Sequence, residues 1–248
     1  MNFKLYIQLL IIGILISFSL SSYADNEKSI IYNAYINNDM GVWKKTIDNM
    51  NAQKNKTIER EFELLNYEYG YIGFCIGMKK KEEASIYIAR GESRINKLMK
   101  NKANLGLVHA YKAAFYGFQI GMNKVKAPFL GPKSIEEAKT SIELDKNNYF
   151  GYMQFGNIEY YMPAIFGGSK QKALEYYLKS KTIMDKNNLK QDWIYLNLVV
   201  LIAQTYQELN NWNYADAYYK LALKLAPDFQ WVSKELYPKF LKTKKQNE

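Results

Sequence analysis

Across 248 residues there is one cysteine, Cys75, and one histidine, His109. A lone cysteine closes no intrachain disulfide, and zinc sites draw on clusters of cysteine and histidine, so neither a disulfide framework nor a metal centre is expected. A serine–histidine–aspartate arrangement would have to use His109, which sits in the helical stretch LGLVHAYKAAF. A packed or solvent-edge histidine is the plainer reading. Arginine is scarce as well, limited to Arg60, Arg90 and Arg94. Recognition of phosphates and base edges favours the arginine fork, and no basic run exceeds Lys79-Lys80-Lys81. The net charge of +10 therefore does not point to nucleic acid. GGSK, 167–170, lacks the spacing and the preceding strand of a phosphate loop. No cofactor is expected.

What the chain does hold is apolar and aromatic: 48% hydrophobic residues, with 22 tyrosines and 12 phenylalanines. Its longest apolar run, Leu5 to Leu20, follows Lys4 and precedes Ser22-Tyr23-Ala24. That order of charge, apolar run and small residues is a secretory signal with a cut after Ala24. The run is shorter than the roughly 20 residues of a spanning helix. The expected mature chain, 25–248, is a single exported domain, periplasmic or secreted in a bacterial envelope, with no stable membrane span.

Internal echoes organise the rest. YIGFCIGM at 71–78 recurs as FYGFQIGM at 115–122, and SIELDKNN at 141–148 recurs in part as TIMDKNN. Self-similarity on this scale indicates a helical array. Five helix pairs are expected near 28–52, 58–99, 103–146, 149–186 and 192–226, with a capping helix at about 229–242 whose N-cap would be Asp228. Small residues Gly70, Ala114, Gly156 and Ala203 would let paired helices approach, and Ala84, Ala138, Ala173 and Ala215 lie on apolar stripes of helical spacing.

The segment 196–227, with Val199, Ile202, Ala203, Tyr206, Ala215, Tyr219, Ala222 and Pro227, resembles the tetratricopeptide repeat (TPR). The resemblance implies an all-α, right-handed superhelical array whose concave side is lined by the first helix of each pair. Carried onto this sequence, it would set Tyr67, Tyr71, Phe74, Tyr111, Phe115, Phe118, Phe150, Tyr160 and Tyr161 along a groove, with polar Gln204, Gln207 and Glu208 in the last pair. Such a greasy lining suits an apolar small molecule; the alternative is that the rings pack on one another and seal it.

Two segments depart from the plain repeat. Pro163-Ala164-Ile165-Phe166-Gly167-Gly168 enlarges one turn by five residues, and Pro128-Phe129-Leu130-Gly131-Pro132 echoes it in the pair before. Proline ends a helix and glycine permits a sharp turn. Both segments read as loops forming a lip over the groove, with their apolar residues folded down. The Pro163–Gly168 segment, running into Lys172-Ala173-Leu174, is similar to a stretch in the exported TPR proteins that accompany TRAP-type transporters. That resemblance implies a hydrophobic cleft, a protein partner and self-association, although those relatives are commonly lipoproteins and no lipidation cysteine stands near Ala24 here.

The composite expectation is a non-catalytic exported protein that binds a partner protein, an apolar ligand or both, as a transporter accessory or an envelope scaffold. The alternatives are a purely structural array with a sealed groove and a hydrolase using Glu159. A glycosidase-like pair of facing carboxylates is not offered by the groove, where Glu208 stands alone.

Overall fold

The computed structural model describes residues 26–247, and the expected signal segment 1–24 lies outside them. The described chain is an all-α helical-repeat array, with eleven α-helices and no strand. The pairs are α1 (26–36) with α2 (Met40–Ala52), α3 (Ile58–Gly77) with α4 (Lys81–Lys100), and α5 (Leu105–Met122) with α6 (Ala127–Leu144). They continue with α7 (Tyr149–Tyr161) and α8 (Lys170–Lys186), then α9 (Trp193–Glu208) and α10 (Trp212–Leu225). Each helix from α3 to α10 packs on the one before it. No described helix is long and apolar enough to cross a membrane.

The closing segment starts at residue 230 with a π-helical turn, Trp231–Leu236, and continues as α11 (Tyr237–Asn247). Asp228 is not its N-cap; the Phe229 carbonyl takes the first helical bond, from the Ser233 N–H at 2.9 Å. Pro238 explains the wide turn. It offers no N–H, and its ring would meet the Lys234 carbonyl in a regular helix, a conflict that a π turn relieves.

Helix starts are fixed by short polar side chains that accept the first free N–H groups. Thr57 caps α3, Asn148 caps α7, Ser169 caps α8 and Asp192 caps α9. The turns inside the first, second and fifth pairs are copies of one another. Asn38, Lys79 and Asn210 stand at φ 54°, 59° and 58°. The next residue donates back across each turn, from Asp39 to Ala34, Lys80 to Cys75 and Asn211 to Tyr206, at 2.8–2.9 Å. This closure satisfies the end carbonyls of the first helix. Asparagine tolerates that left-handed conformation better than most residues. The four stripe alanines Ala84, Ala138, Ala173 and Ala215 are completely buried. Gly156 sits against Tyr177 of its own pair as expected, but Gly70 faces Trp43 and Trp193 instead of α4.

The third and fourth pairs differ. In α4, α8 and α10 the buried alanine follows the helix start by three residues, whereas Ala138 follows Ala127 by eleven. Helix α6 therefore begins eight residues early, an extension of about 12 Å at the α-helical rise. The expected loop through Pro128, Phe129, Gly131 and Pro132 is helix. Pro128 lies in its first turn, where a missing N–H costs nothing, and Pro132 gives up one internal bond. The fourth pair does contain a loop: eight residues separate α7 from α8, against three between α9 and α10, which is the expected five-residue enlargement. Its Ala164–Phe166 form a 3-10 turn, and Gly167 follows at φ 97°. A Cβ on Gly168 would lie 1.9 Å from the Met162 carbonyl oxygen, so only glycine fits. The apolar residues do not fold down. Phe129, Ile165 and Phe166 are 73%, 85% and 71% exposed.

A buried charge cluster ties the first two pairs together. Arg94 of α4 bonds Glu61 and Glu68 of α3 and Asn51 of α2, and Lys97 donates to Glu61 at 2.7 Å. Burial holds the Glu68 carboxyl above its ordinary pKa despite Arg94. Removing the arginine would strand the Glu68 carboxylate and leave Glu61 with Lys97 alone. Arg94→Ala is expected to lower the free energy of unfolding by about 3–5 kcal/mol, as measured by denaturant titration; a loss below about 1 kcal/mol would contradict the assignment.

Candidate functional site

The concave side is closed over part of its length by aromatic rings. Residues three and four apart share a helix face, and Asn66, Tyr69, Gly73 and Gly77 make one such face on α3. Tyr69 points along it to the array's axis, meeting Phe150 of α7 at 5.0 Å, Phe118 of α5 at 5.2 Å and Trp193 of α9 at 6.4 Å between ring centroids. Tyr111 lies 4.4 Å from Phe150. Trp193 in turn meets Trp43 of α2 at 5.0 Å and Tyr35 of α1 at 5.6 Å, so the first and last pairs touch. Polar tips are satisfied within the plug. Trp193 Nε1 donates to Asn66 Oδ1 at 2.7 Å, and the Tyr35 hydroxyl donates to Asn197 at 3.2 Å.

Most of the expected groove residues therefore serve as core. Tyr67, Tyr71, Tyr111, Phe115 and Phe150 are all buried. Tyr71 turns to α4, donating to Glu83 at 3.0 Å and packing on Tyr87, and Phe74 lies beside it under Lys80. The groove they were expected to line is filled at this level by one another's rings. Trp193 escapes sequence reasoning because it precedes the first landmark of the repeat; its signal is a tryptophan directly after the capping Asp192.

Towards the C-terminal ends of α3, α5, α7 and α9 the concave side opens. A side chain grafted at Gly73, Gly77 or Gly117 would meet nothing within 4 Å. Gly121 meets only Ile76, at 3.6 Å, which sets the end of α5 beside the end of α3. Around this bare backbone stand half-buried Phe118 and Tyr160 and exposed Tyr161. Beneath lies a polar cluster. Tyr177 donates to Asn157 Oδ1 at 2.8 Å, and Asn157 Nδ2 reaches the Tyr69 hydroxyl at 3.3 Å and Gln154 Oε1 at 3.1 Å. Burial raises the Tyr69 phenol to about 12; the bond from Asn157 opposes the shift and Tyr161 adds to it. Gln154 is 3% exposed, and its Nε2 has no hydrogen-bond partner.

The far side of the opening is a cleft of about 140 Å³ lined by Tyr160, Gln204, Gln207, Glu208, Leu236 and Lys239, among others. Gln204, Gln207 and Glu208, expected at a polar end of the groove, line this cleft. Lys170 leans over Tyr160, its Nζ 3.4 Å from the ring centroid and donating to the Tyr160 carbonyl. Burial pulls the Lys170 ammonium below its ordinary pKa, with Glu208 opposing, and burial pushes the Tyr160 phenol up to about 12. Ligand-engulfing pockets run to about 300–1,000 Å³, so this site is a face with a side cleft and not an enclosing cavity.

Glu159 is half-buried on α7 with one carboxylate oxygen lacking a hydrogen-bond partner. His109 bonds Glu137 of α6, which also takes Lys112 at 2.6 Å. Cys75 is buried, and burial raises its thiol to about 11. Among the described residues no group of histidine, cysteine and acidic side chains could hold a metal ion.

No protein-family model matches the chain, and no curated protein matches it. Among solved structures the HusA haemophore from Porphyromonas gingivalis is similar, with a TM-score of 0.59 and 16% identity over 75% of this chain and 94% of that one. At that identity the likeness shows a shared helical fold.

Plug and mouth separate on mutation. Tyr111→Ala or Phe150→Ala is expected to cost about 3–5 kcal/mol of stability, whereas Tyr161→Ala or Phe166→Ala should stay within about 0.5 kcal/mol. Denaturant unfolding of the four variants checks this; equal losses would place Tyr161 and Phe166 in the core.

Proposed function

We propose that the chain is a non-catalytic, exported binding protein that takes an apolar ligand at the open end of its concave face. The observation that carries this reading is the exposed and half-exposed ring set of Phe118, Tyr160 and Tyr161 around glycine-walled open space. Bare backbone on α3 and α5 offers a flat apolar wall, and the rings offer faces for stacking. As an exported binder the protein would serve as the transporter accessory implied by the repeat resemblance, or as an envelope scaffold that takes a partner protein on the same face.

The neighbour named a haemophore suggests a flat tetrapyrrole as the ligand class to try first. Contact here would be by ring face, because the one histidine is held by Glu137 between α5 and α6. The second reading, a purely structural array with a sealed groove, is favoured by the Tyr69–Phe150–Trp193 plug. The plug covers one end of the concave side and leaves the other open.

Absorbance titration with haemin and with iron-free protoporphyrin tests the proposal. Both are expected to bind, and Phe118→Ala with Tyr161→Ala should weaken both by about tenfold, the loss of two stacking contacts of about 0.5–1.5 kcal/mol each. Binding of neither porphyrin would favour the sealed array.

A further inference from the structure

The rim of the mouth carries a second feature, distinct from the stacking rings. The turns that close the second, third and fourth pairs lie along one edge, because the ends of α3 and α5 adjoin at Gly121 and Ile76 and because α7 packs on both α5 and α6. Met78, Val125, Phe129, Ile165 and Phe166 project from these turns at 60–85% exposure. The early start of α6 and the glycine-closed loop after α7 are what push them outward. The same segments, 78–82, 123–135 and 161–172, hold eight lysines and a single acid, Glu82. Lys79, Lys81, Lys124, Lys126, Lys133 and Lys172 are exposed, and no carboxylate pairs with any of them within 4.0 Å among the described residues.

Exposed apolar tips ringed by unpaired lysines are the composition of a surface that inserts shallowly into an interfacial region while its ammonium groups meet anionic headgroups. We propose that this edge docks the protein on an anionic lipid bilayer, with Phe129, Ile165 and Phe166 entering the headgroup boundary and the six lysines lying on it. The charge of the edge selects the occupant, since a neutral apolar partner would leave those ammonium groups unanswered. Docked this way, the open end of the concave face lies against the membrane, where an apolar ligand would enter or leave without crossing water. The docking goes beyond the ligand reading and does not require it.

The test is co-sedimentation of the chain from Asp25 onwards, which carries every described helix, with vesicles of phosphatidylglycerol mixed into phosphatidylcholine and with vesicles of phosphatidylcholine alone. Binding is expected to the anionic vesicles only and to fall as salt rises. Phe129→Ser combined with Ile165→Ser, and separately Lys124→Glu combined with Lys126→Glu and Lys133→Glu, should each reduce the partition coefficient by about tenfold or more. Lys100→Glu with Lys102→Glu and Lys146→Glu changes net charge equally at the opposite edge and should reduce it less than about threefold. No binding to anionic vesicles, or equal loss from both lysine triples, overturns the proposal; an acidic protein as the true occupant would give the first of these results. Circular dichroism confirms that each variant is folded, and porphyrin titration of the same variants without vesicles reads the ligand site separately.

Discussion

The contact of Trp193 with Trp43, Tyr35 and Tyr69 decides the shape of this molecule. A stack of helix pairs has no inherent reason to close, since each pair needs only its neighbours. Here the first helix of the last pair reaches across the axis to the first two pairs, and it does so with the largest apolar side chain available. Gly70 makes the approach feasible, because a Cβ there would stand 2.7 Å from each indole. The closure turns what would be an open concave surface into a core, and it converts the tyrosine abundance of the chain from a lining into a filling. Burial of rings of this size is among the strongest stabilising terms a fold has, and the hydroxyl and indole N–H tips that burial would leave unmet find partners in Asn66, Asn157 and Asn197.

What the closure does not reach defines the site. Gly73 and Gly77 on α3, with Gly117 and Gly121 on α5, withhold the side chains that would continue the plug, so the concave side stays open there. The third and fourth pairs then reshape its rim in two different ways. One prolongs a helix by two turns, and the other inserts a 3-10 turn held by Gly167 and Gly168. Both expose apolar residues beside lysines instead of burying them. Burial is concentrated in the plug and in the Arg94 cluster, whereas the apolar residues of the rim are largely exposed.

The helix pairs are legible in the sequence because their evidence is periodic and local. The buried alanines Ala84, Ala138, Ala173 and Ala215 and the five-residue enlargement after α7 follow from spacing and side-chain chemistry, whereas the one N-cap expected, Asp228, does not hold its helix. The groove is less legible, because its openness depends on how far the array curls, a sum of small rotations that no single repeat encodes. Tyr111 and Phe150 fit a ligand-lining pattern and a core pattern equally well until Trp193 is known to meet them. The PFLGP segment misleads for a related reason. Proline and glycine favour a turn, but Pro128 falls in the first turn, where a helix tolerates proline, and the helix runs on through Pro132. Tyr160, Gln204, Gln207 and Glu208 share one cleft, and half-buried Phe118 lies on α5 beside Tyr69.

The central claim is that one concave face is sealed at one level and open at another. Carbene footprinting read residue by residue with mass spectrometry tests it without mutation. The structure requires heavy labelling of Tyr161, Ile165 and Phe166 and partial labelling of Phe118 and Tyr160, with Tyr69, Tyr111, Phe150 and Trp193 protected. Labelling of Tyr111 and Phe150 as heavy as that of Tyr161 would show an open groove along the whole array and contradict the account.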